Sequence, residues 1–377
     1  MKNKEEQTAP KLRFKGYTDA WQQGKLGEIT KLTMGQSPHG TTYSKTPSDY
    51  ILVQGNADLE NGWVKPRIWT TKVTKTAKKG DLIFSVRAPV GEVGKTNYDV
   101  VIGRGVAAIQ GNEFIYNLLI RLNKSKYWDK LSSGSTFKSI TSADLENAVI
   151  NFPNNIEQKR IGNLLSKLDN TITLLQRKKK KYENLKKALL QNLFPKNKKF
   201  IPDVRFKNFT DLWQPRRLGD IGSISAGGDV DKQKLSSKPS YPVIANALTN
   251  EGIIGYYQDY KIEAPAVTVT GRGSIGHAKA RFVNFTPIVR LLVIKTAQNP
   301  IFLENSINQT MIYNESTGVP QLTVPQLTKY KISISSIPEQ NKIGQLLSKL
   351  DDTITLLQKQ INTLTSLKQF LLQNMFI

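Results

Sequence analysis

The stretch EQKRIGNLLSKLDNTITLLQ, residues 157–176, is repeated as EQNKIGQLLSKLDDTITLLQ at residues 339–358, with 16 of 20 positions identical. Leucine and isoleucine recur there at alternating spacings of four and three residues, which is typical of the narrow apolar seam of a coiled coil. We therefore predict two long helices of one design that pair with each other. The predicted seam residues are Ile161, Leu165, Leu168, Ile172, Leu175, Ile343, Leu347, Leu350, Ile354, Leu357, Ile361 and Leu364.

A second repeat lies upstream of each helix. PKLRFKGYTDAWQQGKLGEI at 10–29 is echoed by PDVRFKNFTDLWQPRRLGDI at 202–221, so the chain is two copies of one plan: a leading segment, a variable body and a helix. Two other interpretations of the helices stay open, namely packing of each on its own domain and self-association of the protein. The predicted bounds are 1–155 and 196–337 for the two domains, and 156–195 and 338–377 for the spacer helices.

The two bodies hardly resemble each other in sequence. Both contain short apolar runs between glycine-rich turns, which indicate strands at 82–86, 100–109, 266–270 and 289–294. The predicted fold class is α+β: two strand-rich mixed α/β domains joined by two long helices that form a coiled coil, with a pseudo-twofold internal repeat. Unlike bodies on a shared scaffold suggest two related sites with different targets.

Charge and composition narrow the function classes. The 377 residues carry a net charge of +24, which favours a polyanionic partner; nucleic acid is the usual one, with an anionic membrane or ribosomal RNA as competing choices. The absence of cysteine excludes disulfides, zinc–thiolate sites and a cysteine nucleophile, and two histidines leave little for metal chemistry. The polar start MKNKEEQTAP and the lack of a long apolar stretch predict a cytoplasmic protein with no membrane partner.

Two glycine motifs resemble phosphate-binding loops. Gly271–Gly276 has the pattern G-x-G-x-x-G after a strand-like run, but residues 277–285 alternate polar and apolar and so predict a returning strand instead of the helix that a dinucleotide site needs. GEVGKT at 91–96 lacks the first glycine of a P-loop, because Pro89 stands in its place. Neither motif supports a cofactor in this chain.

The two bodies share one local pattern. LIFSVRAPVG at 82–91 and VTVTGRGSIG at 267–276 both run strand, arginine, small residues, glycine. An arginine at a tight turn can present its guanidinium fork to guanine or to a phosphate, and the hydroxyl-, amide- and lysine-bearing loops 134–141 and 318–323 can add further contacts. Each residue has a plainer alternative as a surface ion pair or a turn. The predicted DNA-binding residues are Arg87, Arg104, Thr136, Lys138, Arg272, Arg290, Gln321 and Thr323.

Catalytic motifs are missing or unconvincing. The chain has no Pro-Pro step, so it lacks the Asn-Pro-Pro-aromatic loop of amino-methyltransferases, and it has no cysteine for C5-cytosine methylation. No catalytic residue and no metal ligand is predicted. A self-contained DNA-modifying enzyme and an architectural protein that binds nucleic acid without reading sequence remain as alternatives.

Three features of the sequence together resemble the DNA specificity subunit of type I restriction–modification systems. They are the EQ-x-x-IG-x-LLSKLD-x-TITLLQ helices, the paired RFK-x-(F/Y)TD-x-WQ segments, and the TVTGRGSIG and GVPQLT stretches. The resemblance implies a non-catalytic subunit with two target-recognition domains, each of which reads half of a split, asymmetric site in double-stranded DNA. It also implies that the two helices form an antiparallel coiled coil that sets the distance between the half-sites.

The same resemblance implies the partners. Two modification subunits would bind S-adenosylmethionine and methylate adenine, and restriction subunits would add ATP- and magnesium-dependent translocation and cleavage. No cofactor is implied in this chain itself.

Overall fold

The computed structural model describes residues 9–87, 89–132, 138–196, 199–310 and 321–377. The chain divides into two compact units, Met1–Leu175 with Gln360–Ile377, and Gln176–Lys359. Each unit holds one of the two bodies together with part of each long helix.

The first unit is built mainly from short strands. Its helices are α1 Leu26–Ile29, α2 Glu113–Lys124, α3 Tyr127–Leu131, α4 Ser142–Glu146 and the first part of α5 Asn155–Asn192, with 3-10 turns at Gly40–Thr42 and Asn56–Asp58. Its strands are β1 Gln22–Lys25, β2 Lys31–Met34, β3 Tyr43–Ser44, β4 Tyr50–Val53, β5 Leu59–Glu60, β6 Trp63–Val64, β7 Ile68–Thr70, β8 Lys75–Ala77, β9 Leu82–Ser85, β10 Val93–Lys95, β11 Val100–Ile102, β12 Val106–Gln110 and β13 Val149–Phe152.

The second unit repeats the plan with fewer strands. Its helices are α6 Leu218–Ile221, α7 Pro300–Asn308, α8 Val324–Lys329 and the first part of α9 Ile337–Asn374, with a 3-10 turn at Thr249–Gly252. Its strands are β14 Gln214–Arg217, β15 Gly222–Ala226, β16 Tyr241–Ile244, β17 Ile253–Tyr257, β18 Ala266–Thr270, β19 Ala278–Arg281, β20 Thr286–Pro287, β21 Leu291–Thr296 and β22 Lys331–Ile334.

The sheets share one topology although the bodies differ in sequence. The first unit has a sheet of order β2-β12-β9-β10-β6-β5, and the second has the corresponding four strands in the order β15-β21-β18-β19. A second sheet accompanies each, β3-β7-β4-β11-β8 and β17-β16-β20, and contains one parallel pair, β4 with β11 and β16 with β20. A two-stranded ladder, β1-β13 or β14-β22, ties each leading segment to the strand before the long helix.

Three aromatic rings anchor each leading segment. Trp21 meets Phe114 at 5.6 Å and Phe376 at 6.4 Å between ring centroids in the first unit. Trp213 meets Phe302 at 5.4 Å and Phe194 at 6.1 Å in the second. These rings are almost fully buried, so each cluster joins a body, a leading segment and the end of a long helix in one apolar core.

The two long helices, each of 38 residues, run antiparallel. In the first unit the start of α5 shares a core with the end of α9, where Asp169 accepts a hydrogen bond from Lys368 at 2.6 Å. In the second unit the end of α5 shares a core with the start of α9, where Lys186 pairs with Asp351 at 2.5 Å. The two ion pairs are repeat equivalents, since each residue lies 182 positions from its counterpart. None of the twelve predicted seam residues is exposed.

Each leading segment is bound to the end of a long helix by the same backbone hydrogen bond. The N–H of Leu12 donates to the carbonyl of Asn374 at 2.8 Å, and the N–H of Val204 donates to the carbonyl of Asn192 at 2.9 Å. Leu12 and Val204 are repeat equivalents, as are Asn374 and Asn192. The second leading segment therefore docks on the end of α5, to which the chain joins it. The first docks on the end of α9 in the same way, although the chain does not join the two.

Candidate nucleic-acid interface

In the first domain, two predicted arginines lie on adjoining turns. Arg87 lies two residues beyond the end of β9 and forms an isolated antiparallel bridge with Ser139. Arg104 lies in the turn between β11 and β12, and the turn is joined to β9 because Val86 donates its N–H to the carbonyl of Gly105 at 3.0 Å. The ladder of β9 with β12 thus brings Arg87, Arg104 and the segment after residue 138 to one end of the sheet.

The second domain repeats this arrangement with other residues. Arg272 lies two residues beyond the end of β18 and forms an isolated antiparallel bridge with Gln321. The N–H of Leu322 donates to the carbonyl of Gly271 at 2.8 Å, as the N–H of Ile140 donates to Val86 in the first domain. Arg290 precedes β21, the strand that pairs with β18. Arg272, Arg290 and Gln321 are therefore brought together.

The four predicted arginines differ in their contacts from the arginines that stabilise the fold. No ion pair or side-chain hydrogen bond to a described residue engages the guanidinium of Arg87, Arg104, Arg272 or Arg290. Three of them are exposed and Arg290 is half-buried. Arginines elsewhere serve the fold: Arg205, for example, makes a bidentate pair with Glu339 at 2.7 and 2.9 Å. A cation on a rigid turn without a protein partner is suited to bind an anion or a base edge.

The remaining predicted residues differ in their surroundings. Lys138 is exposed and donates to Asp129 at 2.8 Å, and this hydrogen bond lowers the pKa of the Asp129 carboxyl. Thr323 begins α8, where its N–H and its hydroxyl both donate to the Gln326 side chain at 2.9 Å, so it also caps a helix. Thr136 lies outside the described residues. The DNA roles of all eight residues stay predictions.

The glycine-rich turn of the second domain is a β-hairpin. β18 and β19 are antiparallel neighbours, and the N–H of Gly276 donates to the carbonyl of Thr270 at 2.8 Å across the turn. The predicted returning strand is confirmed, because β19 occupies the place where a dinucleotide-binding fold has a helix. Within the described ranges, no three or more His, Asp or Glu side chains come together in a way that would hold a metal ion.

Three residues near the arginine turns escaped the sequence analysis. The hydroxyl of Ser37 accepts the N–H of Arg104 at 3.1 Å, and exposed Lys75 lies opposite Ile102 in the ladder of β8 with β11. In the second domain Asn246 bonds to both arginine turns. These contacts join positions 25 to 67 residues apart in the chain, and no motif marks them.

The scan against family models decides the family. Residues 18–184 and 210–366 both match the model described as the type I restriction modification DNA specificity domain. The chain belongs to this family. Its members are the non-catalytic specificity subunits of type I restriction–modification systems, in which catalysis resides on partner subunits. The predicted class of DNA-recognition subunit and the predicted fold class are confirmed.

Individual specificity subunits show the extent of the similarity. The type I restriction enzyme MjaIX specificity subunit of Methanocaldococcus jannaschii is 25% identical over 398 residues, covering 93% of this chain and 91% of that protein. The MjaX specificity subunit of the same organism is 34% identical over 182 residues, covering 46% of this chain and only 42% of that protein.

A solved structure supports the fold. The S subunit of the type I restriction–modification system of M. genitalium superposes with a TM-score of 0.73 at 17% identity, covering 98% of this chain and 99% of that one. At this identity the likeness shows the fold alone. No helix in the described ranges of our chain is long and apolar enough to cross a membrane.

Proposed function

We propose that each domain of this specificity subunit reads one half of a split site in double-stranded DNA. The observation that carries the proposal is that equivalent pairs of adjoining turns carry two arginines in each unit, Arg87 with Arg104 and Arg272 with Arg290, and that their guanidinium groups have no partner among the described residues. The turns are equivalent but their flanking residues differ. Two similar surfaces with different side chains are what an asymmetric bipartite site requires.

The two long helices serve, in this proposal, as the spacer that sets the gap between the half-sites. Major-groove half-sites that face one side of the duplex are about 34 Å apart per helical turn. A helix of 38 residues is about 57 Å long at 1.5 Å per residue, which is enough to span that distance. A continuous helix with a buried seam resists changes in length, which suits it to act as a ruler.

We further propose that two modification subunits dock on the helix pair. Exposed leucines recur on it with the repeat: Leu174 and Leu356 are equivalents, 64% and 56% exposed, and Leu185 and Leu367 are equivalents, 47% and 42% exposed. By their place in the 3.5-residue repeat, the two leucines of each unit lie on the same side of the antiparallel pair: Leu174 with Leu367 in the first unit, and Leu185 with Leu356 in the second. An apolar feature that occurs once in each unit fits two copies of one partner.

The partners would also supply the chemistry. S-adenosylmethionine is expected on the modification subunits, and ATP and magnesium on restriction subunits, while this chain contributes DNA recognition alone. The proposal places the complex in the cytoplasm with its DNA substrate.

The test is co-expression with the cognate modification subunit in an unmethylated host, followed by mapping of methylated adenines across the genome. We expect a bipartite motif with a fixed gap that disappears when this chain is omitted. Modification without a bipartite motif would contradict the proposal. A folded chain that binds duplexes with less than about a thousandfold preference for any sequence would favour an architectural role instead.

A further inference from the structure

We infer that Asn246 is a positioning residue for DNA recognition by the second domain, because its side-chain amide joins the two arginine turns. Asn246 follows β16 and is half-buried. Its Oδ1 accepts the N–H of Gly271 at 2.8 Å, and its Nδ2 donates to the carbonyl of Val289 at 3.1 Å. These backbone groups belong to the residues directly before Arg272 and Arg290. The inference rests on the function proposed above.

The first domain makes the corresponding link without a side chain. There the N–H of Val86, the residue before Arg87, donates to the carbonyl of Gly105 at 3.0 Å. Gly271 is the equivalent of Val86, and Arg290, directly before β21, is the equivalent of Gly105, directly before β12. In the second domain Asn246 supplies the acceptor that a backbone carbonyl supplies in the first. The side-chain amide of Asn246 therefore takes the place of one backbone hydrogen bond between the two strands.

The backbone of Arg290 explains why a replacement is needed. Arg290 has φ of 68°, in the left-handed region that residues with a side chain rarely adopt. A Cβ on Gly271 would lie 2.3 Å from the Arg290 carbonyl oxygen, so only glycine fits opposite this turn. Strained backbone of this kind persists where the surrounding structure holds it in place, and such positions cluster at functional sites.

Holding both turns with one amide has a functional consequence. The guanidinium groups of Arg272 and Arg290 have no partner among the described residues, so the position of the backbone determines where they can reach. Fixing the backbone of both turns before DNA arrives lowers the ordering cost of a two-arginine contact and sharpens its geometry. Without the amide both arginines remain present, but their relative placement is no longer defined.

The test compares Asn246→Ala with a control, Asn250→Gly, in the full chain bound to its modification subunit. Asn250 has φ of 47°, which glycine adopts without strain. Asn250 lies on the same hairpin and its amide donates to the carbonyl of Ile253 at 3.0 Å, away from both arginine turns. The probes are duplexes that carry the mapped bipartite site, or the same site with one half scrambled. The readout is the affinity ratio between intact and scrambled duplexes for each half-site.

We expect Asn246→Ala to reduce discrimination at the second half-site about tenfold or more and to leave the first half-site unchanged, since a well-placed bidentate arginine is worth about a tenfold preference or more. Asn250→Gly should behave as wild type. Asn246→Asp, which keeps the acceptor for Gly271 and lacks the donor for Val289, should lie between and guards against poor folding of the alanine variant.

A purely structural role would lower the melting temperature without a selective effect on one half-site. Wild-type discrimination by Asn246→Ala, or equal losses at both half-sites, would overturn the inference and leave the proposed function intact. A wild-type complex that reads neither half-site would overturn both.

Discussion

Removing the buried carboxylate of Glu339 should destabilise the second unit. The loss of stability should be larger than the loss in the first unit when the equivalent carboxylate, that of Glu157, is removed. Glu339 is 1% exposed and accepts hydrogen bonds from Arg205 at 2.7 and 2.9 Å and from the Trp213 indole at 3.2 Å. Among the described residues, the side chain of the fully buried Glu157 accepts hydrogen bonds from Arg13 and from no other side chain, at 2.7 and 2.8 Å. These carboxylates raise the pKa of Arg205 and of Arg13, chiefly through the hydrogen bonds.

The magnitude follows from the groups left without a partner. Breaking a buried ion pair costs about 3 to 5 kcal/mol, and the 12% exposure of both arginine side chains favours the lower end. Glu157→Ala should therefore cost about 3 kcal/mol. Glu339→Ala also strands the buried indole N–H of Trp213, which adds about 1 kcal/mol. A unit of this size loses about 2 to 4 °C in melting temperature per kcal/mol.

The assay is urea and thermal unfolding of the full chain, with Glu60→Ala as the control because Glu60 pairs with Lys65 on the surface. The control should unfold as wild type does. If both glutamate variants also unfold like wild type, the ion pairs do not anchor the leading segments. If Glu157→Ala lowers the free energy of unfolding as much as Glu339→Ala does, the hydrogen bond from the Trp213 indole to Glu339 adds no measurable stability.

Three further results should follow from the structure. Arg272→Lys should relax base preference at the second half-site by about 1 to 3 kcal/mol, because lysine lacks the bidentate fork, and methylome mapping should show the first half-site unaltered. Inserting seven residues into each long helix should lengthen the gap in the recognised site by about three base pairs, as 10.5 Å corresponds to about three base-pair steps; an unchanged gap would contradict the ruler. A circular permutant that joins Phe376 to Asn3 and starts at Lys196 should fold and recognise the same site. The new link, from the end of α9 to the first leading segment, has the same number of residues as the natural link from the end of α5 to the second leading segment. Failure to fold would show that the covalent link after α5 is required.

The scaffold was predictable because it is periodic and repeated. The seam spacing of residues such as Ile343 and Leu347 depends only on the 3.6-residue turn of a helix, which acts locally, and the 182-residue offset shows the design twice. Sequence also marked Arg87 and Arg272, since a strand, an arginine and a glycine turn are consecutive in the chain. The returning strand after Gly276 followed from its alternation of polar and apolar residues.

The arrangement of the turns was decided only by tertiary structure. Arg87 meets Ser139, and Arg272 meets Gln321, through bridges between segments about 50 residues apart, and nothing local specifies such pairs. The amide of Asn246 donates to the carbonyl of Val289, 43 positions away, directly before the left-handed backbone of Arg290. Local periodicity determined the helices and the twofold plan of this protein. Long-range hydrogen bonds, which form only when distant strands are aligned, decided which side chains share a surface.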